Sequence, residues 1–183
     1  MKCSFFGHRT IKYTEELKQK LKQLIEFLIV NYGVQTFLFG SRSEFNYLCH
    51  LVVTELKGKY TKIKRIAYTC KSESCVLERE REKWEKIYAS VMKKETQILC
   101  VEEEKEHKTK YTAGRASYIE RNQAMINDSD YCIFYYDENY RPRKSGKVVN
   151  NQPKSGTAIA YVYAKQKKKI IYNVKELYKT LLF

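Results

Sequence analysis

Nowhere in this 183-residue chain does an apolar run approach the length needed to cross a bilayer. The opening residues, Met1 to Arg9, offer only a few apolar side chains before a His-Arg pair, unlike a secretory leader. These two absences set the expectation of a cytoplasmic protein with no membrane partner. Six cysteines are present (Cys3, Cys49, Cys70, Cys75, Cys100, Cys132), but no C-x-x-C pair occurs. Paired-thiolate zinc spacing is therefore missing, and no metal is expected. Several of these thiols lie inside apolar runs, where cysteine behaves as a small hydrophobe. Neither G-x-G-x-x-G nor G-x-x-x-x-G-K-[S/T] is found, which removes the standard dinucleotide fingerprint and the Walker phosphate loop. No cofactor is expected. Internal repeats and low-complexity segments are also lacking. At 43% hydrophobic, the chain can build one proper core, so residues 1–183 read as a single domain.

What the chain does have is positive charge, formally +14. Such an excess attracts phosphate-rich partners over long range. Most of the lysines are scattered, as on a solvated surface. The stretch from Arg141 to Lys154 differs, with five basic residues and no acid. It reads either as an anion-attracting loop or as a solvated, flexible one.

Short apolar runs alternate with helical periodicity along the whole chain. Lys2–Phe6 reads as a strand, followed by a helix with Leu17, Leu21, Leu24, Ile25 and Leu28 on one face and Gly33 as its C-cap. Gln35–Phe39 is a second strand. The next helix carries Leu48, Leu51, Val52 and Leu56 and stops near Gly58. Ile63–Tyr68 is a third strand, rich in β-branched and aromatic residues. A charged helix is expected from Ser74 to about Lys94, with Trp84, Ile87, Tyr88 and Val91 as its buried stripe. A short strand follows at Gln97–Val101, then a surface excursion to Lys110. Arg115–Asn127 reads as a helix broken by Asp128-Ser129-Asp130, and Tyr131–Tyr136 as a central strand. After the loop Asp137–Ser155 come a small-residue helix at Thr157–Gln166, a strand at Lys169–Tyr172 and a terminal helix at Val174–Leu182. Alternation repeated this often predicts a three-layer, Rossmann-like α/β fold with a mostly parallel central sheet flanked by helices. Right-handed crossovers would bring every strand's carboxyl end to one edge, the edge where ligands sit in such folds.

Three turns lie at that edge. Phe6-Gly7-His8-Arg9 combines a glycine, which permits close backbone approach, with an arginine able to fork onto phosphate; a plain chain reversal is the simpler account. Gly40-Ser41-Arg42-Ser43-Glu44 places N–H groups, hydroxyls and a guanidinium at a helix N-terminus, a natural anion site. The competing account is a capping box with Ser41 as N-cap and Glu44 at N3. Lys154-Ser155-Gly156-Thr157 opens a helix whose Ala158, Ala160 and Ala164 permit close packing on the sheet. Arg121-Asn122 lies mid-helix, where surface decoration is the simplest reading.

In order and spacing these pieces resemble the SLOG superfamily. Cys3-Ser4-Phe5-Phe6-Gly7-His8-Arg9 is similar to the opening strand and turn of its small bacterial members, and Gly40-Ser41-Arg42-Ser43-Glu44-Phe45-Asn46 falls where relatives carry a glycine-rich turn. Arg121-Asn122-Gln123-Ala124-Met125-Ile126 with Ser129-Asp130, then Ser155-Gly156-Thr157, Ala164 and Ile170-Ile171-Tyr172-Asn173, resemble the later motifs, so the likeness runs almost end to end. It implies a modified Rossmann fold whose strand-end turns bind nucleotides or nucleotide-derived ligands. The superfamily includes phosphoribohydrolases, the DNA-processing protein A family, and sensors of NAD-derived signals. Phosphoribohydrolases carry a catalytic glutamate where this chain has Ala160, serine replaces the first glycine of their pair at Ser155, and Asn46 stands where many relatives have aspartate.

The resemblance therefore implies a binding module, a sensor or a sequestering protein, for a nucleotide-type small molecule such as an ADP-ribose or cyclic ADP-ribose derivative. Gly7, Gly40 and Gly156 would shape the cradle; Arg9, Arg42 and Arg121 would neutralise phosphate; Ser41, Asn122 and Thr157 would orient oxygens. His8 would stack on or hydrogen-bond the ligand, or else pack beneath the first helix. A hydrolase of N-glycosidic nucleotide bonds using Glu44 is the second reading, weakened by the lost carboxylates. Single-stranded nucleic-acid binding, with Tyr135, Tyr136 and Tyr140 beside the basic loop, is the third, although the first two tyrosines read more simply as core. Relatives of this fold often pair through helices, which adds a homodimer to the expectations.

Overall fold

The computed structural model describes residues 1–40, 43–70, 73, 75–83, 99–108, 110, 115–140 and 155–176. Six strands form one sheet: β1 (Lys2–Gly7), β2 (Thr36–Phe39), β3 (Lys64–Thr69), β6 (Glu103–Glu106), β7 (Tyr131–Tyr135) and β8 (Ile170–Asn173). Their spatial order is β6-β3-β2-β1-β7-β8, and every pairing is parallel. A separate two-stranded parallel ladder joins β4 (Val76–Leu77) to β5 (Cys100–Val101). The helices are α1 (Glu15–Tyr32), α2 (Glu44–Lys57), α3 (Arg115–Asn127) and α4 (Gly156–Gln166). The fold is Rossmann-like.

Period-two alternation sorts the strand residues into two cores. Cys3 and Phe5 of β1, Phe37 and Phe39 of β2 and Ile133 of β7 face α1 and α2, meeting Leu21, Ile25, Leu28, Phe45 and Val52. Phe6, Leu38, Ile66, Cys132 and Phe134 face α3 and α4, meeting Met125, Ile126, Ala160 and Ala164. Burial on both faces explains why β1 and β7 read as continuous apolar runs. Ala160 and Ala164 are buried where α4 crosses the sheet, so small side chains let that helix approach closely.

Local chemistry sets the helix ends. The Thr14 hydroxyl accepts the Leu17 N–H at 3.1 Å and starts α1, with Glu15 and Glu16 in its first turn. Gly33 ends it at φ 63°, a left-handed conformation that glycine adopts without a Cβ penalty. In α2 the N-cap is Ser43, whose hydroxyl accepts the Asn46 N–H at 3.1 Å. This corrects the expected capping box: the helix starts at Glu44, and Asn46 occupies its third position.

Four further expectations are corrected. The segment to Lys110 is no excursion, because Glu103–Glu106 adds the edge strand β6 beside β3. Its alternation is between partly and fully exposed positions, a pattern that a hydrophobic reading overlooks. The helix expected from Ser74 begins later, since Val76–Leu77 is a strand and Glu78–Glu80 a 3-10 turn; Trp84, Ile87, Tyr88 and Val91 lie outside the described residues. Val174 to Glu176 is a turn rather than the start of the terminal helix, whose remainder also lies outside. Leu51 faces solvent at 40% exposure, while Cys49, His50 and Val53 take the buried positions of α2.

Candidate functional site

From β1 the chain winds to β2 and β3 on one side and later to β7 and β8 on the other. The direction reverses between β1 and β7, which makes the crevice outside their carboxyl ends the topological switch point. The two sides of this edge differ in how completely the protein's own side chains fill them.

On the β2–β3 side the candidate residues are internally engaged. An ideal Cβ on Gly40 would lie 2.3 Å from the Met125 sulfur and 3.1 Å from Arg121 Nε, so this glycine lets α3 settle onto the end of β2. An ideal Cβ on Gly7 would stand 2.4 Å from the Phe45 side chain of α2, again a requirement of packing. Asn46 is buried; its amide donates to the Phe5 carbonyl at 3.0 Å, and its oxygen accepts the Gly40 N–H at 3.4 Å. It thus laces the ends of β1 and β2 together. The Glu44 carboxylate accepts the Ile11 N–H at 2.9 Å, and the Glu44 N–H donates to the Arg9 carbonyl at 3.0 Å. Glu44 therefore clamps the first turn to the second.

Arg121 is no surface decoration. It is wholly buried, the largest side chain to be so among the described residues. Its Nη1 donates to Glu73 at 2.5 Å, while Nε and Nη2 donate to the Asn122 side-chain oxygen at 3.3 and 3.2 Å. The same Glu73 oxygen accepts the Cys70 N–H at 3.1 Å. Beyond it lies a cavity of about 560 Å³ lined by Glu73, Glu102, Glu103, Glu104, Glu106 and Arg79 among others. That sign of charge repels phosphate. Ser41 and Arg42 lie outside the described residues, as does the basic loop 141–154.

The β1–β7 side is less completely satisfied. His8 is 2% exposed, and its Nε2 accepts the Asp137 N–H at 3.0 Å. Burial pushes its pKa down to about 4, so the ring is neutral at pH 7 and carries its proton on Nδ1. That buried Nδ1–H has no partner among the described residues. The imidazole stacks on Tyr140 with centroids 3.7 Å apart, and Tyr135 and Tyr136 approach it at 6.4 and 6.2 Å. Tyr135 and Tyr136 are partly buried and pack against the core as expected, Tyr135 beside Phe45 and Tyr136 stacked on Tyr161, while both also neighbour His8. Asn173 braces this corner, donating to the Tyr136 carbonyl and accepting its N–H, both at 3.0 Å. Lys175 pairs with Asp137 and holds that carboxyl below its usual range. Arg9 is exposed beside these groups in sequence.

Ser155 caps α4, accepting the Ala158 N–H at 3.1 Å. A Cβ on Gly156 would meet nothing within 4 Å among the described residues, unlike those on Gly7 and Gly40. Thr157 is buried at the first turn. The helix runs back against parallel strands, so its N-terminus lies at their carboxyl edge, and it packs on both β1 and β7. Its first N–H groups suit an anion.

Sequence reasoning missed Glu73, Asp137 and the bridging role of Asn173. Only Asn173 left a trace, as the end of a motif. Among the described residues no group of three or more His, Cys, Asp or Glu is placed to hold a metal ion, and no helix is long and apolar enough to cross a membrane. No curated protein matches the chain. A family model described as the YspA SLOG family matches residues 4–175, nearly the whole length. By that match, and with the Rossmann-like parallel sheet described above, this chain belongs to the YspA SLOG family.

Proposed function

We propose that the chain binds a nucleotide or nucleotide-derived ligand, of the ADP-ribose or cyclic ADP-ribose kind, as a sensor or sequestering module. The observation that carries this reading is the N-terminus of α4 at Gly156, where a Cβ would meet nothing within 4 Å among the described residues, on the helix that packs across the switch-point strands. Family membership, which suggests nucleotide-related ligands, supports it. Phosphate oxygens would approach the N–H groups of Gly156 and Thr157, with Arg9 supplying charge from the first turn. Gly7, Gly40, Glu44, Arg121 and Asn122 hold the walls of the cradle through the contacts described above, with Ser155 fixing the helix start. Binding rather than turnover fits the carboxylates: Glu44 is committed to the Ile11 N–H, and Ala160 faces the sheet.

Isothermal titration calorimetry with AMP, ADP-ribose and NAD tests the reading. At least one is expected to bind, and Gly156→Ala is expected to weaken that binding about tenfold while leaving thermal unfolding unchanged, because the added Cβ meets none of the described residues within 4 Å. If none of the three binds, the reading fails.

A further inference from the structure

We propose that the box formed around His8 by Tyr135, Tyr136 and Tyr140 is the subsite for the ligand's heteroaromatic base, read through the His8 Nδ1–H. This rests on the nucleotide reading above and assigns its two halves to different places. A buried N–H without an acceptor is an unmet valence, and such groups are rare in folded proteins. The donor can be assigned to Nδ1 because the other ring nitrogen accepts the Asp137 N–H.

Three features select a flat, uncharged group over a phosphate. The walls are aromatic: Tyr140 lies face to face with the imidazole, Tyr135 stands edge-on to it and Tyr136 is tilted, and aromatic rings favour aromatic partners in either arrangement. The His8 ring is neutral, so its N–H matches a carbonyl oxygen or ring nitrogen better than an oxyanion. The Asp137 carboxylate borders the box and repels negative charge, although Lys175 pairs with it. An acceptor on Nδ1 lies in the imidazole plane, which places the base beside His8 and within reach of the ring that stacks on it. All three tyrosines are only partly buried, so the box borders solvent. The phosphates are then left to the α4 N-terminus.

The experiment compares AMP with ribose 5-phosphate, which lacks the base. In protein labelled with ¹⁵N-histidine, the His8 Nδ1–H resonance is expected to shift with AMP and to stay in place with ribose 5-phosphate. His8→Phe keeps a ring but loses the donor; it is expected to weaken AMP binding by up to about tenfold, the worth of one neutral hydrogen bond, and to leave ribose 5-phosphate binding unchanged. Should His8→Phe not fold, the resonance of the unsubstituted protein decides alone. A shift of equal size with both compounds, or no shift while AMP binds, overturns the base subsite and leaves the nucleotide reading standing. If AMP does not bind, ADP-ribose takes its place in the comparison, and failure of the unsubstituted protein to bind any of AMP, ADP-ribose and NAD overturns both.

Discussion

The two sides of the carboxyl edge carry similar residues and have reached opposite states. On the β2–β3 side a glycine, an arginine, an asparagine and a glutamate are all consumed internally: Gly40 by α3, Arg121 by Glu73, Asn46 by two strand ends and Glu44 by the first turn. On the β1–β7 side the His8 Nδ1–H is buried without a partner among the described residues, and a Cβ on Gly156 would meet none of them within 4 Å. Glycine and positive charge therefore do not mark a site by themselves. What marks one is a polar group or a space that the fold leaves unused.

Removing the internal anion is the strongest way to break this contrast. Glu73→Ala strands a wholly buried guanidinium, and losing one partner of a buried pair typically destabilises by about 3–5 kcal/mol. Urea denaturation of the variant should show that loss through a lowered midpoint, and an unchanged midpoint would mean that Glu73 only decorates Arg121. Gly7→Ala comes next. Its Cβ would overlap a Phe45 side chain fixed in the core, an overpacking expected to destabilise by about 1–3 kcal/mol in the same assay.

The smallest effect concerns His8 and sharpens the comparison by pH. Its ordinary pKa of 6.5 falls to about 4 in the folded protein through burial, opposed by Asp137. Between those values the unfolded chain binds a proton that the folded chain refuses. Stability is thus full above about pH 6.5 and falls as the pH drops toward 4. His50, also held low by burial, adds a loss of the same sign. Denaturation midpoints measured from pH 7 to 4 should fall less steeply for His8→Phe, which removes one of the two contributions.

Much of the fold was legible in the chain because its main signals are local. The helix stripe from Leu17 to Leu28, the Gly33 cap and the apolar runs of β1 and β7 each follow from periodicity or backbone preference. Strand β6 was not legible, since an edge strand of Glu-Glu-Lys-Glu is specified by its ladder with β3 and not by hydrophobic alternation. The same limit applies to Arg65. A charge inside the third strand, it is buried with its guanidinium on Glu102, Glu78 and Thr54. Those partners come from β3's neighbours and from α2, and no spacing along the chain announces them.

By itself, then, the sequence determined the alternation of elements, hence the parallel sheet and the edge at which its turns gather; these depend on patterns within a few residues. Tertiary structure alone decided which turns are filled. Whether Arg121 meets Glu73, forty-eight positions away, or whether His8 finds an acceptor, depends on what distant segments bring to the same few ångströms. Hydrogen bonds and ion pairs act over that range only, and the chain reaches it by folding.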